Sequence, residues 1–267
     1  RDTVMYMNQG DDTALSFFYG MGMSSYRLPH ALPIIIPALV YSIRKNNDDK
    51  LFRYISFITL ISIFVLIYIS YATTPLLLSF AFLLLSLFVN ERYNYQSNIR
   101  RCLVLLLLIL PFIINSSILI DVLKWLVSQF GDIGESYIDR LSDLQDFAHS
   151  GASSGDVGAR VNKYRISMTS IGENFLFGTN EDTGQHSALL DRLATLGLVG
   201  FIPYMCLIFV CVKYTTKLIC GNAKVYYLLC VCGALSMLAL KNMSNFDTWF
   251  MFLFVAPIVL FNNTSKK

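Results

Sequence analysis

Long apolar runs separated by short polar breaks set the plan of this chain. The runs fall at about 28–43, 54–70, 76–89, 102–120, 187–212, 225–240 and 249–261. Some are shorter than the roughly 20 residues that a perpendicular membrane helix needs, so their ends are soft by a few residues. The break Tyr71-Ala72-Thr73-Thr74-Pro75 is small enough to be a tight turn, whereas 121–185 is far longer than any other polar stretch between runs. The pattern predicts an all-α integral membrane protein. It would have about seven transmembrane helices and one large, partly helical extracytoplasmic loop, all in a single membrane domain over 1–267.

Within the loop, Tyr137, Leu141, Leu144 and Phe147 recur at helical spacing, and 150–155 is a Gly/Ser break. Val161, Tyr164, Met168, Ile171 and Phe175 then fall on a 3-4-3-4 spacing, which predicts an amphipathic helix lying over the membrane mouth. Asp156 suits its N-cap. Arg160 and Arg165 border its apolar stripe on opposite sides.

Composition agrees with the pattern. Of 267 residues, 55% are hydrophobic and 15% charged, against about 25% charged in a soluble protein. The formal charge of +3 is too small to suggest nucleic acid. Placement of the cations says more. Lys and Arg cluster after the first, third and fifth runs and in the tail 262–267, which puts those connections in the cytoplasm and both 1–26 and the long loop outside. The chain opens on Arg1 without a signal-peptide pattern, so it is expected to be the later part of a longer protein. None of the six cysteines lies in the long loop or has zinc-ligand spacing beside histidines.

Candidate chemistry concentrates between Gly158 and Gly200. Arg160, Lys163 and Arg165 are cations on the side where the topology rule expects few. They are either a solvated face or a binding set for phosphate, whose oxygens arginine takes in a bidentate fork. His186 precedes Ser187, the expected N-cap of the fifth run. It is an interfacial histidine, a general base, or a donor to a phosphate at a helix N-terminus. Asp191 and Arg192 lie a turn deeper, where ionisable groups usually face an interior or a wet cavity. Ala194, Gly197 and Gly200 recur every third residue and read as a small-residue packing stripe. Arg27 and His30 close the outer end of the first run, and Lys241 that of the sixth; snorkelling explains each alone, and together they would strengthen a positive field.

These motifs resemble those of the Wzy-type bacterial polysaccharide repeat-unit polymerases and, through them, the O-antigen ligase superfamily. The similarity rests on Gly158-Ala-Arg160, Tyr164 and the segment from Asn174 to Gly178. It continues through Gly184-Gln-His186-Ser187, Asp191 and Gly197-Leu-Val-Gly200. It departs at Ala72-Thr73-Thr74-Pro75, where many relatives carry an arginine; Arg27 or Arg165 would then supply that charge.

The resemblance implies a multi-pass enzyme of the bacterial inner membrane whose catalytic loop, 121–186, faces the periplasm. It would join undecaprenyl-pyrophosphate-linked repeat units into O-antigen or capsule by inverting glycosyl transfer, with no cofactor and no metal. Arg160 and Arg165 would neutralise the leaving pyrophosphate, and His186 would take the acceptor proton or bind that pyrophosphate. Tyr164, Lys163, Asp191 and Arg27 would bind substrate. Partners would be the lipid-linked glycan, the bilayer, and chain-length regulator and flippase proteins. Two alternatives stay open: a ligase that moves finished glycan to lipid A core, and a non-catalytic membrane subunit or flippase of a polysaccharide assembly system.

Overall fold

The computed structural model describes residues 27–45, 49–69, 73–90, 92–114, 124, 138, 142, 145–146, 156–181, 186–240 and 246–261. Among them every regular element is helical. In chain order these are α1 (Arg27–Ala31), a 3-10 stretch (Leu32–Ile35), α2 (Ile36–Lys45), α3 (Lys50–Ile69), α4 (Thr73–Phe88) and α5 (Tyr95–Ile114). There follow α6 (Asp156–Glu173), α7 (Ala188–Leu218), α8 (Ala223–Leu240), α9 (Phe246–Phe250), a π stretch (Met251–Val255) and α10 (Ala256–Phe261). Of the helix expected around 137–147 only 138, 142 and 145–146 are described, all of them helical, and the arms 1–26 and 262–267 lie outside the described residues, as does Lys241.

By length and composition α3, α7 and α8 can each cross a membrane, and α4 and the α9–α10 stretch are shorter apolar helices. Helix starts follow local capping chemistry. Asp49 accepts the Phe52 N–H through Oδ1 at 3.0 Å, Asn94 accepts that of Ser97 at 2.9 Å, and Ser187 accepts that of Leu190 through Oγ at 3.3 Å. The side chains of α3 show what surrounds it: Phe57, Ile58, Val65 and Leu66 are exposed, and only Ser56, Ile63 and Ile67 are buried. An apolar surface of that extent is stable against lipid and costly against water.

The chain forms two compact units. One comprises Arg1–Leu87, Ile219–Ala234 and Asn245–Lys267. Its interior packs Ile34, Ile36, Tyr226, Tyr227, Phe252 and Leu260. Arg44 closes it on one side, donating to the Ser86 carbonyl at 3.3 Å and to the Tyr226 hydroxyl at 3.1 Å. The guanidinium thereby satisfies a carbonyl in the last turn of α4, where the helix dipole favours a cation. The other unit comprises Phe88–Leu218 and Leu235–Ser244 and holds α5, α6 and α7.

Candidate functional site

The second unit is built round a break in α7. Gly197 has φ 61° and ψ −178°, outside helical space, although helix continues on both sides. The break frees carbonyls before it and N–H groups after it, and the segment 174–180 takes them up. Thr179 and Asn180 donate their N–H groups to the carbonyls of Ala194 and Thr195 at 2.9 and 3.0 Å. Leu198 and Val199 donate theirs to the carbonyls of Phe175 and Leu176 at 2.9 and 3.1 Å. Gly178, at φ 73°, and Gly197 face each other in this clasp, and a Cβ on either would overlap the backbone of the opposing segment. Thr195 Oγ1 adds a bond to the Glu181 carbonyl at 3.1 Å. Gly197 is therefore a backbone requirement as well as a small residue in a packing stripe.

The clasp fixes the end of α6 against the first part of α7, and polar side chains meet there. Ser167, fully enclosed on α6, donates through Oγ to Asp191 Oδ1 at 2.7 Å. Asp191 is buried in the first turn of α7, and its own N–H bonds the Ser187 carbonyl at 2.8 Å. The Tyr164 ring stands edge-on to the His186 ring, centroids 5.2 Å apart. Its hydroxyl donates to the Leu240 carbonyl at 2.8 Å, satisfying a group at the C-terminal end of α8. Burial pushes the Tyr164 hydroxyl above its ordinary pKa; the charge of Arg160 opposes this and that of Asp191 adds to it.

Arg160, Tyr164, His186 and Asp191 are thus brought into one neighbourhood. Lys163 and Arg165 are exposed, and Arg165 lies about 140° round the helix from Arg160 at 3.6 residues per turn. Arg27 begins α1, in the other unit. The expected stripe on α6 is divided. Tyr164 and Ile171 are half-buried, Val161 and Met168 are exposed, and Phe175 falls beyond the helix end at Glu173. The inward face is instead the 4-3-4 series Arg160, Tyr164, Ser167, Ile171.

Two participants went unread in the sequence. Ser167 sits on that same spacing but reads as one more polar position of a solvated helix. The Leu240 carbonyl has no signature in sequence. Among the described residues no three His, Cys, Asp or Glu side chains are placed to share a metal ion. Chemically the arrangement offers a guanidinium, a phenol, an imidazole and a buried carboxylate at the start of a helix, where N–H groups and dipole favour an anion.

No family model, no curated protein and no solved structure matches the chain. The class that the fold defines is a helical membrane protein: among the described residues every element is helical, and three helices are long and apolar enough to cross a bilayer.

Proposed function

We propose that the protein is a membrane glycosyltransferase that polymerises undecaprenyl-pyrophosphate-linked repeat units, as the resemblance to Wzy-type polymerases implies. The observation that carries this reading is the meeting of Arg160, Tyr164, His186 and Asp191 where α6 docks on the first turn of α7. In the proposed topology the seven apolar runs all cross the inner membrane, and 121–186 lies on the periplasmic side.

Arg160 binds a phosphate oxygen of the leaving pyrophosphate and stabilises the charge that develops on it, the electrostatic contribution that usually dominates. Arg165 and Lys163, on the exposed side of α6, hold the lipid-linked substrate at headgroup level. His186 takes the proton of the attacking sugar hydroxyl as the new bond forms, or donates to the departing phosphate. Asp191, fixed by Ser167, preserves the position of the first turn beside these groups. Attack from the face opposite the pyrophosphate inverts the anomeric centre. Chain-length regulator and flippase proteins are the expected partners.

The test is genetic and then biochemical. Cells lacking the gene should keep surface glycans one repeat long, and restoring the gene should restore the ladder. The purified protein, supplied with lipid-linked repeat units, should build long chains on the lipid carrier. A ligase would instead leave long carrier-linked chains in the deletion strain, and a flippase would leave single repeats on the cytoplasmic side.

A further inference from the structure

Phe175, Leu176 and Phe177 stand in the turn after α6 with 49%, 53% and 78% of their surface exposed. Asn174 precedes them, and Thr179, Asn180 and Glu181 follow closely. Three apolar side chains in one turn would be costly to hold in water, at about 25 cal/mol per Å² of apolar surface. The backbone that carries the first two is held in place, because the carbonyls of Phe175 and Leu176 are engaged by the N–H groups of Leu198 and Val199. Those bonds place the turn beside Val199 and Ile202, themselves 57% and 51% exposed, at the start of the long apolar part of α7.

The backbone points the same way. In hydrocarbon no water can satisfy the groups that the turn at Gly197 releases, and irregular backbone survives there only if protein supplies every partner. The clasp supplies four such partners. The charged residues Asp191 and Arg192 precede the break, and between Gly197 and Lys213 the sequence of α7 has no charge. A straight helix of 31 residues would measure roughly 46 Å, well beyond a hydrocarbon core of about 30 Å.

We propose that the turn 175–177 is inserted into the acyl-chain edge of the bilayer. The Gly178–Gly197 clasp marks the depth at which α7 enters lipid, and 188–196 stands above it. The occupant of this apolar surface is lipid hydrocarbon, continuous with the lipid around α7. The inference does not depend on the glycosyl-transfer reading, and either can fail alone.

The test places a tryptophan by Phe177→Trp in a chain carrying Trp125→Phe and Trp249→Phe. The protein is reconstituted in vesicles of phosphatidylcholine and phosphatidylglycerol. The emission should be blue-shifted, should lose most of its intensity to phosphatidylcholine brominated near the ester end of one acyl chain, and should barely respond to aqueous iodide. Quenching by iodide without quenching by bromolipid overturns the proposal. Indifference to both overturns it as well, because a second copy or another protein would then cover the turn. Should the triple variant fail to fold, benzoylphenylalanine in place of Phe177 alone, irradiated in the same vesicles, should give lipid adducts by mass. Protein–protein cross-links, or no lipid adduct, would count against insertion.

Discussion

Each unit of the molecule contains an interrupted helix, and the two interruptions work differently. In the first unit α1 and α2 are joined by the 3-10 stretch Leu32–Ile35, with Pro33 inside it and Pro37 just beyond. Its flanking residues Ala31 and Ile36 keep right-handed dihedrals, the Ile36 N–H bonds the Pro33 carbonyl, and every residue over 30–42 is buried. That interruption is self-contained: it changes the pitch of a packed segment, and among the described residues no backbone group of another element bonds its backbone. In the second unit Gly197 leaves helical space altogether, and a segment some twenty residues earlier in the chain completes its hydrogen bonds. A break of the first kind shapes a core. A break of the second kind ties a loop to a helix, and here it brings Ser167 to Asp191 and Tyr164 to His186.

The largest expected effects follow from that dependence. Gly197→Ala and Gly178→Ala each force a side chain into opposing backbone at a positive φ. Each should cost about 3 kcal/mol or more, seen as loss of monodisperse protein on gel filtration after mild heating. Unchanged behaviour of both would mean that the clasp is not fixed as described.

Next come substitutions that spare the break and strike the groups it assembles. His186→Ala should lower polymer synthesis by roughly 10²–10⁴-fold at normal membrane levels, the range of a positioned acid or base. His186→Gln can donate a hydrogen bond but take no proton. Polymer restored by Gln assigns the donor role, and loss with both variants assigns the base. Arg160→Lys keeps the charge but loses the planar fork and should fall nearly as far, whereas Lys163→Ala should be mild. Equal tolerance at 160 and 163 would leave α6 a solvated face.

Ser167→Ala removes a bond to a buried carboxylate and should cost about 1.5–3 kcal/mol of stability. A double-mutant cycle with Asp191→Asn isolates the pair; additive losses would show the two side chains to be uncoupled.

Much of this was readable beforehand, for identifiable reasons. The helical class and the apolar runs follow from local hydrophobicity. The cap at Ser187 follows from local chemistry and places His186 at the mouth of α7; those at Asp49 and Asn94 are seen only in the structure. The run 28–43 reads as one span, and its 3-10 interruption at Pro33 is added by the structure, although a ring without an N–H acts within its own segment. Gly197 announced only small size. Its positive φ is imposed by Phe175, Leu176, Thr179 and Asn180, and no periodicity within α7 encodes a partner outside it. Ser167 was hidden for a related reason, because burial of a serine on a polar helix is decided by Asp191 on another element. The stripe from Val161 to Phe175 was divided because the polar face of α6, not its most apolar one, docks on α7.

A smaller effect tests the electrostatics of the site. The Tyr164 hydroxyl is held above its ordinary pKa of 10.0 by burial first, with Arg160 opposing and Asp191 adding. A group whose folded pKa is raised contributes stability that is complete below the unfolded value and is lost as pH rises through the folded one. The wild-type chain should therefore lose thermal stability above about pH 10 more steeply than Tyr164→Phe, which has no proton to release. At neutral pH the variant should be less stable by about 1 kcal/mol, the net worth of the bond to the Leu240 carbonyl. Parallel alkaline curves would place Tyr164 in water.

The smallest effect is expected at the proline break of the first unit. Pro37→Ala gives the backbone at 37 an N–H and removes a ring from an enclosed position in the first turn of α2. In that turn an α-helix leaves its N–H groups without intrahelical partners, so proline is tolerated and its replacement gains little. The ring's lost packing is offset in part by the better helix propensity of alanine. Stability should change by less than about 1 kcal/mol, below the loss expected for Tyr164→Phe, and polymer synthesis should stay at the wild-type level. Thermal midpoints in one detergent, measured side by side with Gly197→Ala, check the contrast. If Pro37→Ala proved as damaging as Gly197→Ala, the proline break would be no more self-contained than the glycine break, and the distinction between an interruption that packs and one that assembles a site would fail.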